Sequence, residues 1–186
     1  MGIDFAQNIP ACGELFALAN EACGIDVRKL CEEGPIEELS LTQNTQPALV
    51  TTSLVIARAL RERGIHIGVV TGSGQATLLR RISEDFKATI TPGLIVTAND
   101  VRHGKPSPEP YQQGMKKAAA LLGLNGIAPS EAVVIENAPL GVRSAVAAGC
   151  FTVAVNTGPL PDAALYDEGA DVVFGNMHEL AEAILP

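Results

Sequence analysis

Residues 132–149 read AVVIENAPLGVRSAVAAG, and this stretch decides the fold because it joins a strand to a helix. It opens with a short apolar run rich in β-branched residues, as in a parallel strand that is covered on both faces. A helical pattern then runs from Pro139 and ends at Gly149. Glu136 and Asn137 stand between the two patterns, so we expect both at the carboxyl end of the strand.

The same order of strand, loop and helix fills the chain from Ile65 onward. The predicted strands are 65–70, 94–97, 132–135, 151–155 and 171–174. The predicted helices are 75–84, 109–122, 139–148 and 178–185. This alternation predicts an α/β fold, a Rossmann-like three-layer sheet of about five mostly parallel strands. Ligands of such sheets bind beyond the carboxyl ends of the strands.

Residues 1–64 have the pattern of helices alone. Helices are predicted at 9–23, closed by Gly24, and at 27–32. A longer helix is predicted to begin with Pro47 in its first turn and to run to Gly64. We therefore divide the chain into an amino-terminal helical segment, 1–64, and an α/β core, 65–186.

Composition and charge argue against several classes of protein. Apolar residues make up 47% of the chain and charged residues 18%, which is typical of a globular protein with a real core. The net charge of −8 disfavours nucleic acid or an anionic membrane as the partner. No bilayer-length apolar run or signal pattern is seen, so we expect a cytoplasmic location. Cysteines 12, 23, 31 and 150 lack metal-site spacing, which predicts buried free thiols.

Three features at the predicted carboxyl edge could carry chemistry. The run TGSG at 71–74 follows a strand and opens a helix, so its hydroxyl and N–H groups could hold a phosphate, although such residues fill many strand–helix turns. Lys105 lies in a rigid Gly-Lys-Pro loop, where the alternative is a solvated lysine. Glu136 ends a buried strand, so it must be paired or hold a cation, unless it contacts the helix that begins at Pro139.

Residues 65–186 resemble the haloacid dehalogenase superfamily, in its beta-phosphoglucomutase-like phosphatase branch. The matching runs are GVVTGS at 68–73, DVRHGKPSP at 100–108, VVIENAPLGV at 133–142 and AAG at 147–149. The resemblance implies that Thr71 and Lys105 are catalytic. Thr71 would bind the phosphate beside Gly72 and Ser73, and Lys105 would neutralise the nucleophile and the phosphoryl group.

The same resemblance implies a magnesium site and a substrate class. Glu136 and Asn137 stand where the family has its acidic magnesium-binding pair, so they would hold Mg²⁺. Asn137 replaces the more usual aspartate, which removes a charge from that site. The implied substrate is a small phosphorylated metabolite, hydrolysed through an aspartyl-phosphate.

The nucleophile of that family, an aspartate on an Asp-x-Asp strand, has no counterpart before Ile65. Asp4 is the early candidate, but it lacks the following Asp-Gly and a convincing strand. In the family this strand lies between the strands that carry the positions of Thr71 and Glu136. Without it, its neighbours either pair directly or leave backbone groups unpaired, at a cost of about 1–3 kcal/mol per buried group. We therefore expect weak hydrolysis or none.

Residues 1–64 resemble a different family, the malonyl-CoA:acyl carrier protein transacylases, in their amino-terminal helical stretch. The matching runs include MGIDF at 1–5, LCEEGP at 30–35 and LTQNTQPAL at 41–49. The resemblance covers neither that family's Gly-Gln-Gly-Ser-Gln loop nor its Gly-His-Ser-Leu-Gly elbow. No acyl-transfer residue is therefore carried over, and the partner that this resemblance implies is acyl carrier protein.

Three hypotheses follow. The first is a phosphatase-like domain that keeps its phosphate and magnesium positions but has little activity. The second is a non-catalytic module that holds a phosphorylated ligand or a partner protein, and the third is a transacylase remnant that contacts acyl carrier protein. Asp100 either orients Lys105 through a salt bridge or is solvated, and His103 either contacts a substrate phosphate or is a solvated loop histidine.

Overall fold

The computed structural model describes residues 3–85, 90, 91 and 93–184. It divides into two units, which we describe separately. The helical unit comprises Met1–Ile67 and Asp85–Ile90, and the α/β unit comprises Gly68–Glu84 and Thr91–Pro186. Leu185, the end of the last predicted helix, lies outside the described residues. Within the described part of the chain, no helix is both long and apolar enough to cross a membrane.

The helical unit contains the helices that the apolar spacing predicts, with two short additions at Ile3–Asn8 and Ile36–Leu39. Its helices are α1 (Ile3–Asn8), α2 (Pro10–Cys23), α3 (Val27–Glu33), α4 (Ile36–Leu39) and α5 (Thr42–Glu62). Helix α2 ends because Gly24 adopts a left-handed φ of 67°, which glycine tolerates without strain. Asp26 then begins α3 by accepting the Lys29 N–H at 3.0 Å.

Helix α5 begins at Thr42, so the prediction that Pro47 lies in its first turn is wrong. Pro47 lies inside the helix, where it has no N–H for the carbonyl one turn earlier. Side-chain hydrogen bonds hold the early turns instead: Thr45 Oγ1 donates to Leu39 O at 2.5 Å, and Asn44 Nδ2 donates to Glu38 O at 2.9 Å. These bonds allow the helix to start before the proline.

The core of the helical unit lies between α2, α3 and α5. Phe16, Val27 and Val55 are fully buried there. Cys12 is also fully buried and its Sγ donates to Val55 O at 3.4 Å, which ties α2 to α5. The prediction of buried thiols holds for Cys12, Cys31 and Cys150 but is wrong for Cys23, which is exposed at the end of α2.

The α/β unit alternates strands and helices in the predicted order, with one additional short helix, Ala163–Tyr166, that was not predicted. Its strands are β1 (Val69–Val70), β2 (Ile95–Val96), β3 (Val133–Glu136), β4 (Phe151–Val155) and β5 (Val172–Phe174). Its helices are α6 (Ala76–Asp85), α7 (Glu109–Leu122), α8 (Pro139–Ala147), α9 (Ala163–Tyr166) and α10 (Met177–Ile184).

The first predicted strand, 65–70, is mostly not a strand. Gly64 has a φ of 79°, and the Ile65 N–H bonds back to Leu60 O at 3.0 Å. These contacts belong to the end of α5, because a glycine after a helix lets the chain return to the last open carbonyls. The sheet therefore begins only at Val69.

The predicted fold class is confirmed, since every strand pairing in the described residues is parallel. The strands form two sheets, one of β1 and β2 and one in the order β3–β4–β5. Val70 lies opposite Val96 in the first sheet, and Ile135 lies opposite Val153 in the second. Each strand pair therefore has its carboxyl ends at one edge, where the predicted site residues stand.

In the described residues β1 and β3 do not pair with each other. Of the two outcomes expected without an intervening strand, direct pairing or an open edge, the structure has the open edge. β3 is also covered on one face only, although its apolar run predicts burial on both. Val133 and Ile135 are 63% and 47% exposed, whereas Val134 between them is 9% exposed.

The covered face of β3 forms one of the cores of the α/β unit. Val134 packs there against Tyr111 of α7 and Ala145 of α8. Burying apolar side chains contributes about 25 cal/mol per Å². Two more clusters pack on opposite faces of the second sheet, because their β4 residues alternate along the strand. One contains Val142, Ala154, Leu165 and Ala170, and the other contains Val153, Val155 and Leu180.

Candidate functional site

Lys105 joins the carboxyl ends of strands from both sheets. Its Nζ donates to Val70 O, the last residue of β1, at 3.3 Å. The same ammonium forms an ion pair with the Oε1 of Glu136, the last residue of β3. The side chains of Lys105 and Glu136 are only 19% and 10% exposed. The structure thus brings the cation and the carboxylate into one partly buried pair.

The loop that carries Lys105 is held at both ends. Before it, the Glu109 carboxylate accepts the backbone N–H groups of Arg102 and His103 at 2.7 and 2.9 Å. After it, the buried Ser144 of α8 donates its hydroxyl to Ser107 O at 2.5 Å. These bonds hold the loop from which Lys105 extends.

Glu136 accepts donors on both of its oxygens. Oε1 takes Lys105 Nζ and the Tyr111 hydroxyl, the latter at 2.5 Å, and Oε2 takes the Asn137 N–H at 3.2 Å. Burial by itself would raise the pKa of the Glu136 carboxyl, but the bonds from Lys105 and Tyr111 lower this pKa below its ordinary value. The carboxylate is therefore ionised at neutral pH.

Tyr111 is a member of the site that the sequence analysis missed. It is the third residue of α7, is 7% exposed, and carries the Lys105 ammonium 5.1 Å from the centre of its ring. Burial raises the pKa of the Tyr111 hydroxyl well above its ordinary value, so it stays a donor. Its rarity was the available signal, since aromatic residues make up only 4% of the chain and this one lies a few residues after Lys105.

Gly141 is a second residue whose role the sequence did not reveal. A Cβ built at this position would overlap the carboxyl group of Glu136. Gly141 lies in the first turn of α8, so its missing side chain leaves the space into which the Glu136 carboxylate fits. The close approach of Gly141 to the Glu136 carboxylate places the first turn of α8 beside the site.

The run at 71–74 forms a turn closed by its own hydroxyls. Thr71 Oγ1 accepts the Ser73 N–H at 3.1 Å, and Ser73 Oγ accepts the Gln75 N–H at 3.2 Å. Helix α6 begins directly afterwards, at Ala76. Thr71 follows the residue whose carbonyl binds Lys105, so the turn and the ammonium lie at the same strand end.

The residues proposed for Mg²⁺ do not fit that ion in the arrangement that the structure shows. Glu136 Oε1 already binds an ammonium and a phenol hydroxyl, and Asn137 directs its side-chain N–H to Thr157 Oγ1 at 3.2 Å. Mg²⁺ prefers free carboxylate oxygens in octahedral geometry. The described residues also contain no group of three or more His, Cys, Asp or Glu that could hold a metal ion.

Asp100 does not form the salt bridge to Lys105 that was one of its two predicted roles. Asp100 Oδ1 instead pairs with Lys117 at 2.7 Å, and its other oxygen accepts the Thr97 N–H and caps a 3-10 turn. The hydrogen bond from Lys117 holds the pKa of Asp100 down at about 2. His103 bonds Glu109 at 2.9 Å and its side chain is 75% exposed, as in a solvated loop.

Asp4, the early candidate for a nucleophile, lies in helix α1. Its side chain is outside what the structure describes. Among the described side chains, the carboxylate paired with Lys105 is that of Glu136. Within the described side chains, the site therefore contains a cation, its paired carboxylate and a turn rich in hydroxyl groups.

A protein-family model described as haloacid dehalogenase-like hydrolase matches residues 39–155. The chain is 35% identical to hexitol phosphatase A of Escherichia coli over 121 residues, which are 65% of this chain and 52% of that protein. It spans about half the length of this relative. The predicted resemblance of residues 65–186 to the haloacid dehalogenase superfamily is thus confirmed.

The chain is also similar to the malonyl CoA-acyl carrier protein transacylase of Escherichia coli, at 33% identity over 126 residues. These residues are 66% of this chain and 38% of the transacylase. The two alignments each cover about two thirds of the chain, so they share part of it. The second resemblance also has support, over a longer stretch than 1–64.

Among solved structures, a Bacteroides vulgatus protein titled as a beta-phosphoglucomutase superposes with a TM-score of 0.61 and 38% sequence identity. The match covers 84% of this chain and 65% of that one. At this identity the likeness extends from the fold to the sequence.

Proposed function

Because the chain belongs to the haloacid dehalogenase-like hydrolase family, we propose that its α/β unit binds the phosphate group of a small phosphorylated metabolite. The observation that carries the proposal is the position of Lys105. Its ammonium is held between the ends of β1 and β3 by Val70 O and Glu136. Val70 directly precedes Thr71. A cation fixed beside a hydroxyl-rich turn is suited to an oxyanion.

The phosphate would be held from two directions. Lys105 would contribute a charge-assisted hydrogen bond from one side. From the other side, the turn at Thr71–Gly72–Ser73 and the start of α6 would offer a hydroxyl, backbone N–H groups and the positive end of a helix dipole. A Cβ built on Gly72 would meet no atom within 4 Å, so this part of the turn has open space next to it.

We further propose that hydrolysis is slow or absent. An aspartyl-phosphate requires a carboxylate that attacks phosphorus. Glu136 is poorly suited to that role, because two donors on Oε1 and one on Oε2 withdraw its electron density. The function that these contacts favour is binding of the phosphate, with magnesium-dependent turnover as the alternative that resemblance suggests.

The relatives suggest a substrate class. One relative is named hexitol phosphatase A, and one solved structure carries the name beta-phosphoglucomutase. We propose that the ligand is a phosphate ester of a six-carbon sugar or polyol.

The experiment is calorimetric titration with inorganic phosphate and with a hexitol phosphate. Lys105→Met should weaken binding by about tenfold or more, because it removes a charge-assisted bond. Lys117→Met is the matched control, since Lys117 pairs with Asp100 rather than Glu136 and should leave affinity unchanged. Equal affinity of the wild type and Lys105→Met would refute the proposal.

The same proteins should be assayed for release of phosphate from the ester, with added magnesium and with a chelator. Slow or absent release under both conditions is the expected result. Release that needs magnesium and is lost in Lys105→Met would instead establish the phosphatase alternative.

A second candidate concerns acyl carrier protein, and the observation that favours it is the transacylase alignment. We propose it only as a binding partner, because no acyl-transfer residue matches. Purified acyl carrier protein should then shift amide resonances of the full chain in a titration. Unchanged spectra at millimolar partner would remove this candidate.

A further inference from the structure

Tyr111 contacts both members of the Lys105–Glu136 pair. Its hydroxyl donates to Glu136 Oε1 at 2.5 Å, and this is the same oxygen that binds the ammonium. Its ring lies under the ammonium, with 5.1 Å between Nζ and the ring centre. A cation over the face of an aromatic ring is attracted by the ring quadrupole. One side chain thus fixes the carboxylate by its edge and the cation by its face.

The ring itself cannot move freely. It packs in one cluster with Val134 of β3, Ala145 of α8 and Ala148 directly after α8, and Val70 and Met115 pack against this cluster. Tyr111 is 7% exposed. Because a buried aromatic ring in a close-packed cluster keeps one orientation, the hydroxyl is presented to Glu136 without a further entropic cost.

The shared oxygen has a consequence for the ammonium. A carboxylate that accepts a hydrogen bond from a phenol has less charge available for a second donor on the same oxygen. If Lys105 were the only donor there, Glu136 would bind the ammonium more completely. An anion that approaches Lys105 competes with Glu136 for it, so a weaker ion pair leaves the cation more available.

We propose that Tyr111 is a positioning residue, which shares Glu136 with Lys105 and thereby keeps the Lys105 ammonium available to a phosphate. The proposal rests on the proposed function in so far as the anion is phosphate. Tyr111 acts through its neighbours and does not itself touch the ligand. The sequence motifs assign it no role, and its part follows from the geometry alone.

The test is a mutant cycle in the full chain, with inorganic phosphate as the probe in calorimetric titration. Tyr111→Phe keeps the ring and removes the hydroxyl, and we expect it to weaken binding about fivefold. In a Glu136→Gln background the same change should have no effect, because the charge that Tyr111 shares is gone. A Tyr111→Phe protein that binds as tightly as wild type would overturn the proposal.

Tyr166→Phe is the matched control, since it removes the hydroxyl of the chain's other tyrosine. That hydroxyl accepts the Val173 N–H at 3.3 Å and, within the described residues, has no hydrogen bond to Lys105 or Glu136. Phosphate affinity should be unchanged in this variant. A loss equal to that of Tyr111→Phe would show a general effect of tyrosine removal and would also overturn the proposal.

A second readout separates this proposal from the proposed function. The ring current of Tyr111 should shift the Lys105 side-chain resonances in the ligand-free protein. The shift should change in Tyr111→Phe, as the ammonium moves towards Glu136, and vanish in Tyr111→Leu. If wild type binds no phosphate, the proposed function fails, and these resonances still decide: a change supports the positioning role, and none refutes it.

Discussion

Glu136 combines low exposure with a full set of donors. An isolated carboxylate that is only 10% exposed would shift towards its neutral form. Lys105, Tyr111 and the Asn137 N–H together keep it ionised. Removal of one partner from such a pair leaves an uncompensated charge, so it costs more than breaking a surface ion pair. The chemistry of the site therefore depends on single side chains.

Gly141 provides a prediction at this scale. Gly141→Ala should lower the free energy of unfolding by about 1–3 kcal/mol, because the new Cβ would displace the Glu136 carboxyl. Gly114→Ala in α7 is the matched control. Its Cβ would lie 3.5 Å from Val70 Cγ2, an ordinary contact, and alanine favours helix by up to about 1 kcal/mol. Urea unfolding of both variants checks this, and equal losses would contradict the assignment.

At the scale of elements, β3 shows how an apolar strand can be half covered. Its residues alternate between a face packed under α7 and α8 and a face that is largely exposed. Its outer edge has no strand partner in the described residues. β1 lies in the other sheet. Lys105 therefore links the two sheets at their carboxyl ends, through its hydrogen bond to Val70 O and its ion pair with Glu136.

The alternation on β3 predicts different costs for the same truncation at neighbouring positions. Val134→Ala should lower the free energy of unfolding by about 2 kcal/mol, because it leaves a cavity beside Tyr111. Val133→Ala removes the same atoms from a side chain that is 63% exposed and should change stability by less than about 0.5 kcal/mol. Similar costs in chemical denaturation would mean that the open face is covered in solution.

The pair of Asp100 and Lys117 connects the turn after β2 to α7. The pKa of Asp100 is lowered from 3.8 to about 2, chiefly by the hydrogen bond from Lys117. A folded-state pKa below the unfolded value contributes stability that is present above about pH 4 and lost as the pH falls towards 2. After allowance for partial exposure, the contribution is about 1–2 kcal/mol.

Asp100→Asn should therefore lower stability near pH 7 and flatten its decline between about pH 4 and pH 2. Unfolding free energies from urea titrations at several pH values measure this. Lys117→Met should flatten the same acid limb, since it removes the chief cause of the shift. If the unfolding free energy of Asp100→Asn fell as steeply at acid pH as that of the wild type, other carboxylates would cause the loss of stability.

At the scale of the whole molecule, two units each have a core of their own. Phe16 is fully buried in the helical unit and Leu165 in the α/β unit. The family match begins at residue 39, within the helical unit, so the family boundary and the boundary of the folded units do not coincide. The region that matches the family therefore includes part of the helical unit as well as part of the α/β unit.

Separate cores predict separate responses to core truncation. Phe16→Ala should raise amide hydrogen exchange in α2, α3 and α5, and Leu165→Ala should raise it in β4, α8 and α9. Each change should cost its own unit about 2–5 kcal/mol. Exchange measured by mass spectrometry on the full chain tests this. If either variant raised exchange evenly over both units, the chain would unfold as one cooperative body.

Local patterns predicted the order of elements and most helix ends, because apolar spacing, glycine and proline act within a few residues. Pro47 is the exception, since side-chain bonds from Thr45 and Asn44 extended α5 beyond what a local rule includes. The same patterns placed Lys105 and Glu136 at strand ends. The sequence therefore predicted, as a hypothesis, that Lys105 and Glu136 belong to one site.

The order of strands and helices, and the family to which they belong, were determined by the sequence alone, since both are written in short runs of residues. The tertiary structure decided the division into two sheets, the pairing of Asp100 with Lys117, and the inclusion of Tyr111. These contacts join residues far apart in the chain, 31 positions for Lys105 and Glu136 and 25 for Tyr111 and Glu136. Which distant groups meet depends on how the helices pack across the strands, and no local periodicity records that packing.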